Sequence, residues 1–351
     1  MAREPARSRP RPHDGDSSLD VVAIGNALVD VLTHSTSNDL DGLGLVKGSM
    51  TLVDLARAAG VYDAMGPAIE VSGGSAANTA VGIAALGGSV GYIGKVAADE
   101  LGRVFLHDLG AAGVTLGRVS QVEASVDPAD DRATGRSLVL VTEDGERTMA
   151  THLGVASTLG PDDLDEELVA RAGVVYLEGY LWDQGPAKAA LRRAMELAHL
   201  GDAVVALTLS DPFCVERHQR EFLDLLHGDV DVLFANEDEV RLLFGAPDFD
   251  RAVSAVEETG LRAALTRGAA GSVVVSASGP VAVAAEPVRY VIDTTGAGDL
   301  YASGFLYGLT HGLDPGTCAR LGGLCAAEVI SHIGARPQAD LRQLARQHEL
   351  L

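Results

Sequence analysis

The segment from Asp293 to Gly304, DTTGAGDLYASG, joins a glycine-rich turn to a carboxylate at the start of a predicted helix. Gly296 and Gly298 permit a tight turn that leaves N–H groups exposed at the helix start, where an anion such as phosphate binds. Asp299 would repel that phosphate, but it suits a base that takes a proton from an attacking hydroxyl. The alternative is an acidic residue that only stabilises the first helical turn.

A second glycine-rich segment opens another predicted helix, over 75–86. Gly73 and Gly74 would let the backbone approach a ligand closely, and the amide of Asn78 lies one turn into that helix. Asn26 and Asp30 follow a predicted strand, and Asp30 could accept hydrogen bonds from the paired hydroxyls of a sugar. A capped helix start and an ordinary loop acid are the competing interpretations.

Two further turns could contact phosphates. Asn236 and Glu239 begin a helix after a strand, where they could hold a water-coordinated Mg²⁺, although acidic residues are also ordinary in a first helical turn. Thr266 and Gly268 belong to a small-residue turn suited to a nucleotide, or to a plain β-turn.

Composition narrows the class of protein. The 351 residues are 47% hydrophobic, enough for one large α/β domain with an accessory element. The net charge of −22 argues against nucleic acid or an anionic membrane as a partner, although a local anion site is compatible with it. Three cysteines without a CxxC pair suit a reduced, cytoplasmic location. Residues 1–18 lack an apolar period and are predicted to be a disordered tail.

The rest of the chain alternates strands and helices, which predicts a parallel sheet covered on both faces. Strands are expected at 90–93, 174–177, 204–207, 232–234 and 263–265, and helices at about 187–200, 215–227 and 237–259. A hairpin is expected at 135–149, with its turn at Asp144 and Gly145. Polar residues follow the strands, where ligands bind in an open α/β sheet. These are Asn26, Glu178, Ser210, Asp211, Asn236 and Thr266.

Together these segments resemble the ribokinase-like (PfkB) carbohydrate kinase family over about residues 20–338. The motifs that carry the resemblance are the helix start at Gly73 and Gly74 and the block from Asp293 to Asp299. The sequence has no Walker A motif and no G-x-G-x-x-G after a strand, so neither a P-loop nor a dinucleotide-dependent oxidoreductase is expected. The resemblance implies a three-layer α/β/α fold with a mostly parallel sheet and a small β-sheet lid. It also implies a kinase domain over 19–351 whose lid comes from about 31–56 and 113–152.

The resemblance also implies roles for individual residues in ATP-dependent phosphorylation of a hydroxyl. Asp299 is then the base, beside an anion hole formed by Gly296, Ala297 and Gly298. Asn236 and Glu239 organise Mg²⁺, and Thr266 and Gly268 bind the nucleotide. Asp293 and Thr295 hold a monovalent cation, usually potassium, with Gln338 where sugar-kinase relatives often carry serine.

Within the family the chain most resembles the adenosine kinases, which imply a nucleoside acceptor. Asn26, Asp30, Gly73, Gly74 and Asn78 then bind ribose. Tyr180 and Phe213 bring aromatic rings to the purine, and Trp182 lies near them in the sequence.

Other functions remain compatible with the sequence. One is a sugar kinase acting on ribose, fructose or 2-keto-3-deoxygluconate, an acid whose carboxylate requires a cation, for which Lys47 is the first candidate before Arg136 and Arg147. Another is a non-catalytic nucleotide-binding regulator, which would have no use for Asp299. The exposed edge of the predicted lid fits a monomer or a homodimer.

Overall fold

The computed structural model describes residues 18–117, 120–123 and 132–351, so the predicted tail lies outside the described residues except for Ser18. The described residues form sixteen strands and twelve helices. The strands are β1 (Leu19–Ile24), β2 (Leu28–His34), β3 (Met50–Leu52), β4 (Ile69–Gly73), β5 (Val90–Ile93), β6 (Lys95–Ala97), β7 (Thr115–Leu116), β8 (Ser120–Val122), β9 (Gly135–Val141), β10 (Arg147–His152), β11 (Ala172–Glu178), β12 (Val204–Thr208), β13 (Val232–Asn236), β14 (Arg262–Thr266), β15 (Ser272–Val275) and β16 (Val281–Val283). The helices are α1 (Ser37–Gly42), α2 (Leu55–Ala64), α3 (Ser75–Leu86), α4 (Glu100–Ala111), α5 (Glu166–Ala170), α6 (Gly185–Leu200), α7 (Pro212–Leu226), α8 (Glu237–Phe244), α9 (Phe249–Thr259), α10 (Ala297–Thr310), α11 (Pro315–Val329) and α12 (Leu341–Gln347).

The large sheet has nine strands in the order β16-β15-β14-β13-β12-β11-β1-β5-β7. Its strands run parallel from β14 to β7, and β15 and β16 are added antiparallel. Strand β1 shows why such a strand must be apolar on both sides. Val22 and Ile24 belong to the apolar core that includes side chains of α6 to α9 on one face, whereas Val21 and Ala23 belong to the core that includes α3 and α10 on the other. This arrangement confirms the expected three-layer α/β/α fold with a mostly parallel sheet.

The smaller sheet has five strands in the order β3-β10-β9-β2-β4. Strands β3, β9 and β10 and most of β2 fall within the two segments expected for the lid, 31–56 and 113–152. Strand β4 lies outside them, and β7, inside the second segment, pairs with β5 in the large sheet instead. Strand β4 has only five residues and is exposed at its start, so its short apolar–polar alternation, Ile-Glu-Val-Ser, is a weak signal for a strand.

Local sequence signals predicted most elements well. The helix at 75–86 and the hairpin turning at Asp144 and Gly145 are confirmed. The single helix predicted over 237–259 is wrong, because it is two helices. Gly245 ends α8 in a left-handed conformation with φ of 60°, and Pro247 follows it, so the chain turns before α9 begins. Among the described helices, none has the length and apolar composition needed to cross a membrane.

Candidate active site

A cavity of about 400 Å³ lies between the carboxyl ends of the large-sheet strands and the smaller sheet. This is the edge at which an open α/β sheet binds its ligands. The sequence-predicted residues that line it are Asn26, Asp30, Gly74, Asn78, Tyr180, Asn236, Glu239, Thr266, Thr295, Gly296, Ala297, Gly298 and Asp299. The predicted residues that do not line it are Gly73, Phe213, Gly268 and Asp293.

The glycine-rich turn places the start of α10 at the floor of the cavity. Gly296 has φ of 75°, and a Cβ there would lie 2.7 Å from that of Ala335, so only glycine fits on both counts. Among the described residues no side chain caps α10, which leaves first-turn N–H groups available to a ligand. This arrangement has the exposed N–H donors that an anion site requires.

Asp299 lies in the first turn of α10, and α3 holds both of its oxygens. Ser75 Oγ donates to Oδ1 at 2.6 Å, and Asn78 Nδ2 donates to Oδ2 at 2.8 Å. Burial raises the pKa of Asp299, while these hydrogen bonds and the charges of Arg147 and Arg336 oppose that rise. The carboxylate is thus oriented and more basic than an exposed aspartate, which suits proton abstraction near neutral pH.

Asp30 projects from β2 and is 8% exposed. Unlike Asp299, its carboxylate receives no hydrogen bond from any residue that the structure describes. Burial raises its pKa to about 6, against the charges of Arg336 and Arg147. A Cβ at Gly73 would overlap this carboxylate, so Gly73 makes room for Asp30 rather than for the ligand itself. A buried carboxylate that receives no hydrogen bond from the described residues is suited to accept hydrogen bonds from the hydroxyls of a ligand.

Arg336 lies in the loop between α11 and α12, and its side chain reaches the junction of β4 and α3. Its guanidinium donates to Ser72 O at 2.9 Å, to Ser72 Oγ at 3.0 Å and to Ala77 O at 2.8 Å. Loss of solvation lowers its pKa to about 10, so it stays charged at neutral pH. Sequence reasoning missed this residue because its partners lie about 260 positions away and no local motif marks it.

Asn236 and Glu239 form a reciprocal cap at the start of α8. Asn236 N and Nδ2 donate to the two oxygens of Glu239 at 2.9 and 2.7 Å, and Glu239 N donates to Asn236 Oδ1 at 2.9 Å. Burial raises the pKa of Glu239 to about 7. The helix cap is therefore compatible with a ligand-binding role, since both side chains also line the cavity. Thr266 ends β14 at the same edge, whereas Gly268, with φ of 54°, does not line the cavity.

Asp293 lies beneath the turn and is fully buried. Its Oδ1 accepts from Thr295 N at 2.8 Å and Thr295 Oγ1 at 2.5 Å, and its Oδ2 accepts from Gly334 N at 2.8 Å. No basic side chain within the described ranges forms an ion pair with it. Asp293 thus ties the turn to the loop that carries Arg336.

The aromatic residues expected near a purine occupy different environments. Tyr180 lines the cavity, and its hydroxyl donates to Ser210 O at 3.4 Å. The prediction that Phe213 lies at the acceptor is wrong, because Phe213 is 56% exposed and lies outside the cavity. In the first turn of α7 it is Cys214, the next residue, that points inward. Trp182 is buried beneath the site, where it packs against Phe222.

The three candidate cations also differ. Lys47, the first candidate, pairs with Asp144 at 2.5 Å at the hairpin turn and does not line the cavity. The guanidinium of Arg136 lies over the ring of Tyr62. Arg147 alone of the three lines the cavity. Its position at the start of β10 makes the hairpin the source of this positive charge.

Comparison with known proteins agrees with this geometry. Residues 67–341 match the model of the pfkB family carbohydrate kinases. Adenosine kinase from Saccharomyces cerevisiae is 31% identical over 337 residues, covering 90% of this chain and 95% of the relative. The crystal structure of adenosine kinase from Sinorhizobium meliloti is 46% identical with a TM-score of 0.89, covering 94% of this chain and 99% of that one. A probable sugar kinase from Rhizobium etli CFN 42 is 44% identical with a TM-score of 0.89, covering 95% and 100% of the two chains. The chain belongs to the pfkB family of carbohydrate kinases, and it is a phosphotransferase that uses ATP to phosphorylate a hydroxyl group.

Proposed function

We propose that the protein transfers the γ-phosphoryl group of ATP to the 5′-hydroxyl of adenosine, giving AMP and salvaging the purine. The observation that supports this proposal is that the cavity has hydrogen-bond acceptors on one side and apolar side chains on the other. The carboxylate of Asp30, which receives no hydrogen bond from a described residue, offers acceptors for ribose hydroxyls. Apolar side chains of the smaller sheet line the same space, where a flat purine would bury its faces. These are Leu28, Met50, Leu52 and Met149.

In the proposed reaction Asp299 takes the proton from the attacking hydroxyl. Ser75 and Asn78 hold the carboxylate in place, so that little reorganisation is needed when the hydroxyl arrives. The free N–H groups at the start of α10 stabilise the negative charge on the transferred phosphoryl group. The smaller sheet acts as a lid that excludes water, which would otherwise compete as the acceptor.

The residues present fit the two cations that the family implies. Asn236 and Glu239 are bonded to each other, so they would hold Mg²⁺ through water, and the ion would neutralise the phosphates of ATP. Asp293 is a buried carboxylate without a basic partner among the described residues, which suits a potassium ion. Replacing K⁺ by choline at constant ionic strength should therefore lower kcat, and unchanged kcat would remove potassium from the proposal.

The decisive experiment compares kcat/KM for adenosine with that for ribose, fructose and 2-keto-3-deoxygluconate, using MgATP and potassium. Adenosine should be preferred by at least about 10², or roughly 2.7 kcal/mol of transition-state discrimination. A free sugar that wins this comparison would overturn the nucleoside assignment but leave the phosphotransferase mechanism in place.

One observation favours a second candidate, a kinase for an acidic sugar. Arg147 lines the cavity with no ion-pair partner among the described residues, and it could hold a carboxylate as well as a phosphate. The Arg147→Met variant distinguishes the two cases. If Arg147 binds phosphate, the variant should lose kcat with every acceptor, whereas for an acid sugar the KM of that sugar should rise most.

A further inference from the structure

Glu178 is a buried carboxylate at the end of β11 that the proposed reaction does not use. It is 1% exposed and lies at the wall of the cavity. Asn26 Nδ2 donates to its Oε1 at 2.7 Å, Asn26 N donates to the same oxygen at 3.3 Å, and Ala76 N donates to Oε2 at 3.0 Å. Glu178 therefore joins the turn after β1 to the first turn of α3, two segments that meet at the acceptor side of the cavity.

This contact fixes which way the amide of Asn26 faces. An ionised carboxylate has no hydrogen to donate, so the NH₂ group of Asn26 must face Glu178. Asn26 Oδ1 is then left buried without a hydrogen-bond partner among the described residues, in a side chain that is 3% exposed and lines the cavity. A buried acceptor without a hydrogen bond costs free energy unless a ligand donates a hydrogen bond to it.

Gly25 shows that the packing around the pair is tight. A Cβ at this position would overlap both the carboxylate of Glu178 and the side chain of Ala76. Only glycine lets the turn come close enough for Asn26 to reach Glu178 with both its backbone and its side chain. Contacts among three segments of the chain, the turn after β1, the end of β11 and the start of α3, thus fix the orientation of the amide.

We propose that Glu178 is a positioning residue that sets the hydrogen-bond polarity of the acceptor site, so that Asn26 Oδ1 selects an acceptor molecule that donates a hydrogen bond there. When Glu178 is neutral, its O–H can donate to Asn26 Oδ1, the amide turns over, and Nδ2 faces the ligand instead. The inference rests on the proposed acceptor site but not on the identity of the acceptor.

The protonation of Glu178, and with it the turn of the Asn26 amide, should occur near neutral pH. Burial raises the pKa of Glu178 to about 7, with hydrogen bonds from Ala76 and Asn26 opposing the rise. The KM of the acceptor should therefore increase as the pH falls through about 7, as Glu178 gains its proton. The titratable groups on neighbouring elements that interact electrostatically with Glu178 are Asp299, Tyr92, Tyr176, Tyr180 and Cys214.

The test uses the full-length enzyme and whichever acceptor it phosphorylates best. Glu178→Gln leaves one oxygen for the three N–H groups that the carboxylate accepts, so the amide of Asn26 is no longer held in one orientation. The KM of the acceptor should then rise roughly 5- to 100-fold at pH 8, the cost of an unmade hydrogen bond. The KM of ATP should stay within about twofold. The matched control is Glu216→Gln, at an exposed position of α7.

A double-variant cycle separates positioning from a general structural effect. Asn26→Ala should raise the KM of the acceptor by itself, and adding Glu178→Gln should change it little further, because Glu178 acts through Asn26. Independent, multiplicative effects would overturn the proposal, as would equal changes in the KM of ATP and of the acceptor. Should Glu178→Gln fail to fold, Asn26→Ala alone decides, since it must abolish the pH dependence of the acceptor KM near 7.

Analogues of the acceptor that each lack one donor identify the selected group. One of them should bind worse than the parent to the wild type but not to Glu178→Gln. If every analogue binds worse than the parent by the same factor in the wild type and in Glu178→Gln, Asn26 does not recognise a hydrogen-bond donor of the acceptor molecule. A wrong assignment of adenosine, or normal turnover in an Asp299 variant, would defeat the proposed function while leaving this coupling measurable with the true acceptor.

Discussion

The two sides of the cavity differ in how many of their polar groups are already satisfied. On the phosphate side, the turn from Asp293 to Asp299 bonds to itself, to α3 and to the loop at Gly334. On the acceptor side, Asp30 has no hydrogen-bond donor, and Asn26 Oδ1 and Asn78 Oδ1 have no partner among the described residues. Asn78 lies at the boundary, because its Nδ2 donates to Asp299 whereas its Oδ1 has no partner among the described residues.

This difference indicates a division of labour. Groups that are held in place before the ligand arrives can stabilise a transition state without reorganising, as phosphoryl transfer requires. Groups that are buried and unbonded without a ligand favour the acceptor that satisfies them, so they contribute to specificity. Substitutions on the phosphate side should therefore change kcat, and substitutions on the acceptor side should change the KM of the acceptor.

The largest effect should come from Asp299→Asn, which keeps the size of the side chain and removes the base. Loss of a general base typically costs about 10²–10⁴-fold, so kcat should fall by that factor. The dissociation constant of ATP, measured by calorimetry, should change little. The matched control is Asp250→Asn, at the exposed start of α9. Near-full turnover in Asp299→Asn would reduce Asp299 to a helix-start acid.

Asp30→Ala tests the acceptor side. The change removes a charged acceptor of hydrogen bonds, worth about 1.5–3 kcal/mol, so the KM of the acceptor should rise roughly 10- to 150-fold. The KM of ATP should be nearly unchanged. Steady-state kinetics with each substrate varied in turn makes the comparison, and equal increases in both KM values would place Asp30 outside the acceptor site.

The same difference explains what could be predicted from the sequence. The phosphate side is mainly one continuous segment, so Gly296, Gly298 and Asp299 stand at fixed spacings and predict a glycine turn, a helix start and a base. The fold was predictable too, because strands that are buried on both faces need apolar runs such as that of β11.

The acceptor side could be predicted only in part. Its residues come from the ends of β1, β2 and β11 and from α3, and their roles depend on contacts between these distant segments. Glu178 was marked as a polar residue after a strand, but its bond to Asn26 joins positions 152 residues apart. Phe213 was misplaced because its orientation depends on the angle of the first turn of α7, which the sequence does not encode as a pattern.

Arg336 bridges the two sides, and a pair of substitutions separates its charge from its hydrogen bonds. Its charge lowers the pKa of both Asp299 and Asp30. In Arg336→Met the pKa of Asp299 should therefore rise, and the acidic limb of the kcat profile should move to higher pH, since the base must be ionised. Arg336→Lys keeps the charge, so its pH profile should stay closer to that of the wild type.

Both Arg336 variants should be less stable, because each loses hydrogen bonds from a guanidinium to Ser72 and Ala77, which contribute about 1.5–3 kcal/mol. Thermal unfolding of both, beside Arg251→Met at an exposed position of α9, measures this loss. Identical pH profiles for the Met and Lys variants would show that Arg336 acts through its hydrogen bonds alone.

The smallest effect is expected from Phe213→Ala. The side chain is largely exposed and outside the cavity, so the KM of adenosine should change by less than about twofold, as for most surface substitutions. Tyr180→Ala is the matched comparison, because Tyr180 lines the cavity and stacking of a base on an aromatic ring is worth about 1–3 kcal/mol. Its KM for adenosine should therefore rise roughly 5- to 150-fold on the same scale. A large increase in Phe213→Ala would mean that α7 rotates its first turn toward the acceptor when the ligand binds. The acceptor side would then be completed only when the ligand binds, whereas the residues of the phosphate side are already in contact without it.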